Sequence, residues 1–329
     1  MHSNLDYSTY QAISNSSLNL LEQSPKKFLK FYNLEFEEKD EKYFLLGSAI
    51  HCYILEPEEF NKRYKFLDVQ TPNSANKKQF IEELINNKSK DSSTKLIEAY
   101  KKSYASANLK DESILEKAKE LKKELSPYLK SLKYKEQGID IVPGYLKTYL
   151  EKLKLKLKSN PTSKDLLFTE ATVLRDLEVH NELPIFWEIT KEGYTHKFKA
   201  LLDRVMIDHD NKIIKLVDLK TTVDLVKFKE ESFFKYHYDR QLAFYSRALM
   251  SYFESEYPDK NIEEYSIEHY IVAVNKDADP ESIVFKISNN TILSAAKRVS
   301  ELIDIAHWHF VNNKWEYSKE CYENGYETI

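Results

Sequence analysis

Along the chain, apolar positions first recur with a helical period and later alternate. Behind a serine at Ser14, Leu18, Leu20 and Leu21 stand at near-helical spacing, and Ser24-Pro25 breaks the pattern before basic and aromatic residues restart it. A short helix and a turn are predicted there. The stretch FLLGSAIHCYILEPEEF, residues 44–60, predicts an apolar helix with a single histidine, closed by Pro57. From about residue 76 to 135 the chain turns rich in Lys and Glu, while Phe80, Leu84, Ile114, Leu115, Ala118, Leu121 and Leu125 keep the helical period. Residues 145–158, YLKTYLEKLKLKLK, fit a strand by their Lys/Leu alternation and a helix by the face Leu146, Tyr149, Leu150, Leu153 and Leu157. The helix is preferred, and the whole of about 76–160 reads as a helical insertion.

After Leu166 the texture changes to strands. TEATVLRDLEV, ELPIFWEI, YTHKFKALLDRVMID and KIIKLVDLKTT are separated by the turn-like TKEG and HDN, which predicts hairpins. A helix near 237–253, the strands EHYIVAVN and SIVFKIS, and a long amphipathic helix from about 291 to 312 follow. No internal repeat or low-complexity linker divides the chain. It is expected to form one α/β domain over residues 1–329, a central mixed β-sheet flanked by helices and carrying the helical insertion.

Composition removes several function classes. The 329 residues are 42% hydrophobic and 13% aromatic, ample for a large core. Only five glycines occur, and no G-x-x-x-x-G-K or G-x-G-x-x-G string is present, which argues against a nucleotide-binding ATPase or a dehydrogenase. Two cysteines, Cys52 and Cys321, cannot build a disulfide framework, a four-cysteine zinc site or an iron–sulfur cluster. An intracellular protein is expected, since neither an apolar N-terminal signal nor an apolar run of about 18 residues is present. The net charge of −4 excludes a broadly basic nucleic-acid coat, so any polyanion must meet a local basic surface.

The string KLVDLKTT, residues 215–222, then stands out. It sets Asp218 and Lys220 on one face of a strand that otherwise reads as buried. A hairpin turn centred on Asp210 and Asn211 would place Asp203 opposite Asp218, and a second turn near Glu192 would bring Glu182 opposite Leu202 or Asp203. Two carboxylates about 4 Å apart repel by roughly 4 kcal/mol at an effective dielectric near 20. One lysine compensates three such groups poorly, whereas Mg²⁺ or Mn²⁺ would do so and could polarise a phosphoryl oxygen. The bland alternative is a partly exposed Asp218–Lys220 ion pair.

Asp203 followed by DLK at 218–220 resembles the PD-(D/E)xK nuclease motif. LLDRVMID resembles the motif strand of the RecB-like branch, QLAFY at 241–245 its Q-x-x-x-Y helix, and LGSAIH its histidine-bearing helix. Within that branch the chain is most similar to the exonuclease VIII (RecE-type) nucleases of phages and prophages, almost end to end, through ISNSSLNLLEQSPKKF, GSAIHCYILEPEEF, VDLKTTVD, YDRQLAFY and YIVAVNKDADP. Leu202 stands where the superfamily motif has proline.

The resemblance implies His51, Asp203 and Asp218 as metal ligands, the Leu219 carbonyl completing the shell, and Lys220 as the catalytic lysine. Glu182 is implied at a second ion or a metal-bound water, with Glu170 a weaker substitute. Gln241 and Tyr245, one helical turn apart, either hold DNA phosphate or the lysine, or simply pack on the sheet. The cofactor implied is Mg²⁺, with Mn²⁺ able to substitute and no iron–sulfur cluster, since Ser24 precedes Pro25 where cluster-bearing relatives carry cysteine. The activity implied is 5′-to-3′ exonuclease action at double-stranded DNA ends, in the cytoplasm of a bacterial host, with a single-strand annealing protein as partner and a ring-shaped homo-oligomer. An endonuclease of the same fold and a catalytically silent DNA-binding protein are the alternatives. Lys147, Lys152, Lys154, Lys156 and Lys158 form the densest basic stretch and are read as a solvated helix face. His307, Trp308 and His309 are read as packing of the last helix.

Overall fold

The computed structural model describes residues 6–35, 41–87, 91–104 and 109–327. Two compact units are distinguished, one made of the residues up to Glu56 together with those from Glu151 onward, the other Pro57–Leu150. The first opens with α1 (Asn15–Gln23) and α2 (Pro25–Tyr32). Ser14 caps α1 reciprocally with Ser17, and Ser24 caps α2, where Pro25 takes the first turn without losing a helical hydrogen bond. The next helix, α3 (Glu41–Leu55), carries His51.

The second unit holds α4 (Pro57–Arg63), β1 (Tyr64–Phe66), α5 (Ala75–Asn86), α6 (Ser92–Ser103), α7 (Asp111–Glu124), α8 (Ser126–Glu136) and β2 (Asp140–Val142). Phe80, Ile81, Leu84, Leu96, Ala99, Ala118, Leu121 and Leu125 form its core. The helical period read at Phe80, Leu84, Ala118, Leu121 and Leu125 is therefore that of buried faces. Between the units' sequence bounds runs α9 (Tyr145–Ser159), helical as preferred, with Leu146, Tyr149, Leu150, Leu153 and Leu157 all buried.

The first unit continues with α10 (Pro161–Phe168), β3 (Leu177–Lys191), β4 (Tyr194–Asp208), β5 (Ile213–Thr222), α11 (Phe233–Lys235), α12 (Tyr238–Glu256), β6 (Ser266–Asn275), β7 (Ser282–Ile287), α13 (Asn289–Asn312) and α14 (Lys319–Asn324). The strands form one mixed sheet in the order β3-β4-β5-β6-β7, antiparallel except for the β5–β6 pair. This is the expected α/β architecture. The β3–β4 hairpin turns on Glu192 and Gly193, both left-handed, as a two-residue turn that matches strand twist requires. The β4–β5 turn is closed by Asp208, whose Oδ1 accepts the Asn211 amide.

Two strand readings are corrected. TEATVLRDLEV is not a strand until Leu177, because a short 3-10 turn at Val173–Arg175 and a left-handed Asp176 redirect the chain first. From Leu177 the chain then runs into ELPIFWEI as one long strand. Pro184 is tolerated within it because β3 lies at the sheet edge, where one side of the strand needs no ladder partner.

The main core lies between the sheet and helices α12 and α13. It joins Phe198, Val205, Ile207, Ile214 and Leu216 to Leu242, Phe244, Leu249, Phe253, Val299 and Leu302. His307 and His309 belong to this packing. His307 Nδ1 lies 2.9 Å from His196 Nε2, and the His309 ring stacks on Trp315.

Burial holds His196 and His269 well below the ordinary imidazole range, to about 4 for each. Both are neutral in the fold, while the unfolded chain takes up their protons near 6.5. Their contribution is complete above that pH and is lost as pH falls toward 4. The free energy of unfolding from urea titration should therefore decline between pH 7 and 5, by about 2 kcal/mol for one such group. His269→Gln should flatten the decline; an unchanged pH slope in that variant would refute the assignment.

Candidate active site

The site forms where the regular alternation of β3 and β4 fails. Ile185 and Trp187 on β3, with Phe198, Ala200 and Leu202 on β4, pack into the core, and so do Val205 and Ile207. The step from 202 to 205 is odd, so the period of two slips by one across Asp203 and Arg204. The partner strand slips at the same level, where Glu182 has φ 47° and is skipped by the ladder between Asn181↔Arg204 and Leu183↔Leu202. A left-handed backbone at a non-glycine residue costs on the order of 1–3 kcal/mol and persists only where its surroundings impose it.

The imposing contacts are polar. Buried Arg204 donates to the carbonyls of Leu166 (2.7 Å) and Thr169 and to Asn181 Oδ1 (2.7 Å). Asn181 in turn donates to the Leu55 carbonyl at the end of α3, 2.8 Å away. The residues next to Asp203 and Glu182 thus tie both strands to the helix that carries His51. Nothing in the pattern of apolar positions marks them, although Arg204 follows Asp203 directly in LLDRVMID.

The β4–β5 register is the expected one, running from Asp208↔Ile213 to Arg204↔Val217. It stops one pair short of Asp203 and Asp218. There the Asp203 carboxylate replaces the backbone ladder, its Oδ2 accepting the Leu219 amide at 2.8 Å. His51 Nδ1 lies 3.4 Å from that same oxygen and 3.9 Å from Glu182 Oε1. His51, Glu182 and Asp203 each offer one ligand atom, all within 4.8 Å of one another. Asp218 and Leu219 stand beside this group, Leu219 entering through its amide.

One comparison with known proteins bears on this constellation. The family described as "PDDEXK-like domain of unknown function (DUF3799)" matches residues 14–125 and 186–326. The chain belongs to that PDDEXK-like family. No protein of curated function matches it. Among solved structures it is similar to one from Eubacterium rectale described as "Putative exonuclease", at 11% identity and a TM-score of 0.48, over 99% of this chain and 95% of that one. It is also similar to SSO0001, at 15% identity and a TM-score of 0.24, over 77% and 92%.

In this PDDEXK-like domain, Lys220 Nζ lies 2.7 Å from Asp218 Oδ2. The Asp218 side chain is 2% exposed, and the Lys220 ammonium is the partner of its carboxylate. Burial raises its pKa to about 6, with Asp203 adding to the rise and Lys220 opposing it. Lys220 itself is raised, because Asp218 and Asp203 outweigh a burial that would lower it, so its ammonium stays charged. A buried carboxylate balanced by one lysine, beside a His–Glu–Asp group, is a donor set that a divalent cation satisfies. His51, Glu182 and Asp203 fit such an ion, with Asp218 adjoining.

Gln241 and Tyr245 face this charge together. Gln241 Nε2 donates to Tyr245 Oη at 2.7 Å, and the tyrosine pKa is pushed well up by burial and by the negative charges of Asp218 and Asp203. Glu170 is exposed on the segment after α10. Lys154 and Lys158 lie over the rings of Tyr53 and Phe168. Their stems therefore cover apolar surface at a helix face read as solvated.

Mg²⁺ or Mn²⁺ should raise the melting temperature, equivalent to about 2.7 kcal/mol at a hundredfold excess over Kd, and Asp203→Ala should remove that shift. His51 must be neutral to ligate. Its pKa is raised because Asp203 and Glu182 outweigh the lowering by burial, so ion affinity should climb as pH rises through a value above 6.5. Asn181→Ala should weaken the ion roughly tenfold or more while leaving the fold intact. An ion affinity in Asn181→Ala equal to the wild type would show that the Arg204–Asn181–Leu55 chain does not position the ligands.

Proposed function

We propose that this PDDEXK-like protein is a Mg²⁺-dependent deoxyribonuclease, acting as an exonuclease at double-stranded DNA ends. The observation that carries the reading is the pairing of Lys220 with a buried Asp218 at 2.7 Å, beside the His51, Glu182 and Asp203 group. A divalent cation bound there would supply Lewis-acid polarisation of a phosphoryl oxygen and a water of lowered pKa. In the reaction a water oxygen bonds to phosphorus as a P–O ester bond breaks and the leaving oxygen takes a proton. Lys220 is the catalytic residue, its permanent charge orienting the water or stabilising the crowded phosphorane oxygens. Gln241 and Tyr245 hold the lysine's surroundings or a substrate phosphate. Asp203 is fixed for its part by the Leu219 amide.

The finer reading is a RecE-type enzyme, cutting 5′ to 3′, working with a single-strand annealing protein as a ring-shaped homo-oligomer. It is supported by the motif strings LGSAIH, LLDRVMID, VDLKTT and QLAFY. An endonuclease of the same fold is the competing reading.

Linear and closed-circular duplex, each labelled and incubated with and without Mg²⁺, separate these outcomes. The exonuclease should degrade only the linear form and only with the ion, and the labelled end released first gives polarity. Lys220→Ala should lower the rate by roughly a hundred- to a thousandfold while the ion-linked rise in melting temperature is kept. Undiminished cleavage by Lys220→Ala would remove the lysine from the chemistry, and cutting of closed circles would replace exonuclease by endonuclease.

A further inference from the structure

Between the end of β5 at Thr222 and the start of α12 at Tyr238, the chain exposes an unusual set of side chains. Val223 and Val226 are each 86% exposed, Phe234 57% and Tyr236 53%. Leu225, Phe228 and Phe233 of the same segment are buried, at 8%, 1% and 7%. The segment is therefore anchored in the core while it presents aromatic faces to solvent, which the burial of apolar area alone would not favour.

These faces lead to the site. The Tyr236 and Tyr238 rings lie 5.9 Å apart, and the Tyr238 ring centroid is 5.1 Å from Lys220 Nζ. The two steps, 5.9 Å and 5.1 Å, hold the Tyr236 ring within about 11 Å of the lysine's ammonium. Lys235 Nζ stands 5.5 Å from the Tyr236 ring, so the exposed ring is accompanied by a cation. Aromatic faces interleaved with positive charge bind nucleotides whose bases are free to stack, because every base has a π-face and every phosphate a negative charge.

We infer that Tyr236 is a stacking platform for the nucleobase adjoining the phosphate at Lys220, an inference that rests on the nuclease reading. The platform positions the strand end; Lys235 meets its backbone. Because Tyr236 is half exposed and outside the core, its truncation leaves the fold standing.

Tyr236→Ala should raise KM for a DNA end by about 5- to 100-fold with kcat nearly unchanged, and Tyr236→Trp should restore it. The decisive comparison uses DNA lacking the base at that nucleotide. The wild type should lose affinity for the abasic end, whereas Tyr236→Ala should bind intact and abasic ends alike. A KM in Tyr236→Ala equal to the wild type, or an abasic penalty of the same size in both proteins, would overturn the platform and leave the surface to another partner. Should the wild type cut no DNA, the nuclease reading falls separately. Equilibrium binding of the same oligonucleotides then decides the platform, and equal affinities for wild type and variant reject it.

Discussion

The Asp203 carboxylate takes a hydrogen bond that, in an uninterrupted sheet, would belong to the backbone. By accepting the Leu219 amide at 2.8 Å it ends the β4–β5 ladder without leaving a buried N–H unsatisfied. The fork that results brings an acid from one strand and a second acid and a lysine from the other to adjoining positions. Without that substitution, continued pairing would carry the ladder past Asp203, and its side chain would stand out from the sheet like any other strand residue. The His51, Glu182 and Asp203 grouping depends on this one replacement of a backbone acceptor by a side chain.

The surroundings hold the fork under strain. Glu182 keeps a left-handed backbone, and Asp218 is buried with the Lys220 ammonium as its partner. Neither is explained by stability, since a glycine at the first position and an apolar residue at the second would each relieve a local cost. The Arg204–Asn181–Leu55 chain gives rigidity to the arrangement, with a guanidinium whose burial lowers its own pKa to about 10. Strain concentrated at convergent charges, with polar supports behind it, is the pattern of a site organised for binding and reaction rather than for packing.

Much of this was legible in residue order. The helical periods placed α5 and α7 within a helical insertion, and the face buried by α9. The β4 span Tyr194–Asp208 coincides with the apolar alternation in YTHKFKALLDRVMID, and the hairpin turns followed from Glu192-Gly193 and Asp210-Asn211. Asp203, Asp218 and Lys220 could be placed near one another because a two-residue period and a turn define an antiparallel register. The continuous run through Asn181 and Glu182 could not be read, because local propensity there conflicts with tertiary support. The exposed Val173 and Leu174 misled in the opposite sense, as β-formers held in a short turn by the left-handed Asp176.

The amino-acid order by itself determined most element types, the β4–β5 register and the nearness of Asp203, Asp218 and Lys220, since these depend on spacing, turn chemistry and side-chain type within a few residues. Only the tertiary structure decided that Glu182 stands with Asp203 and His51 rather than opposite Leu202, that Asp203 caps an interrupted ladder, and that Asp218 is fully buried against Lys220. Those outcomes depend on which distant groups, Leu55, Leu166 and Thr169 among them, fill the hydrogen bonds around the fork. Partners that far apart along the chain leave no periodic trace in it.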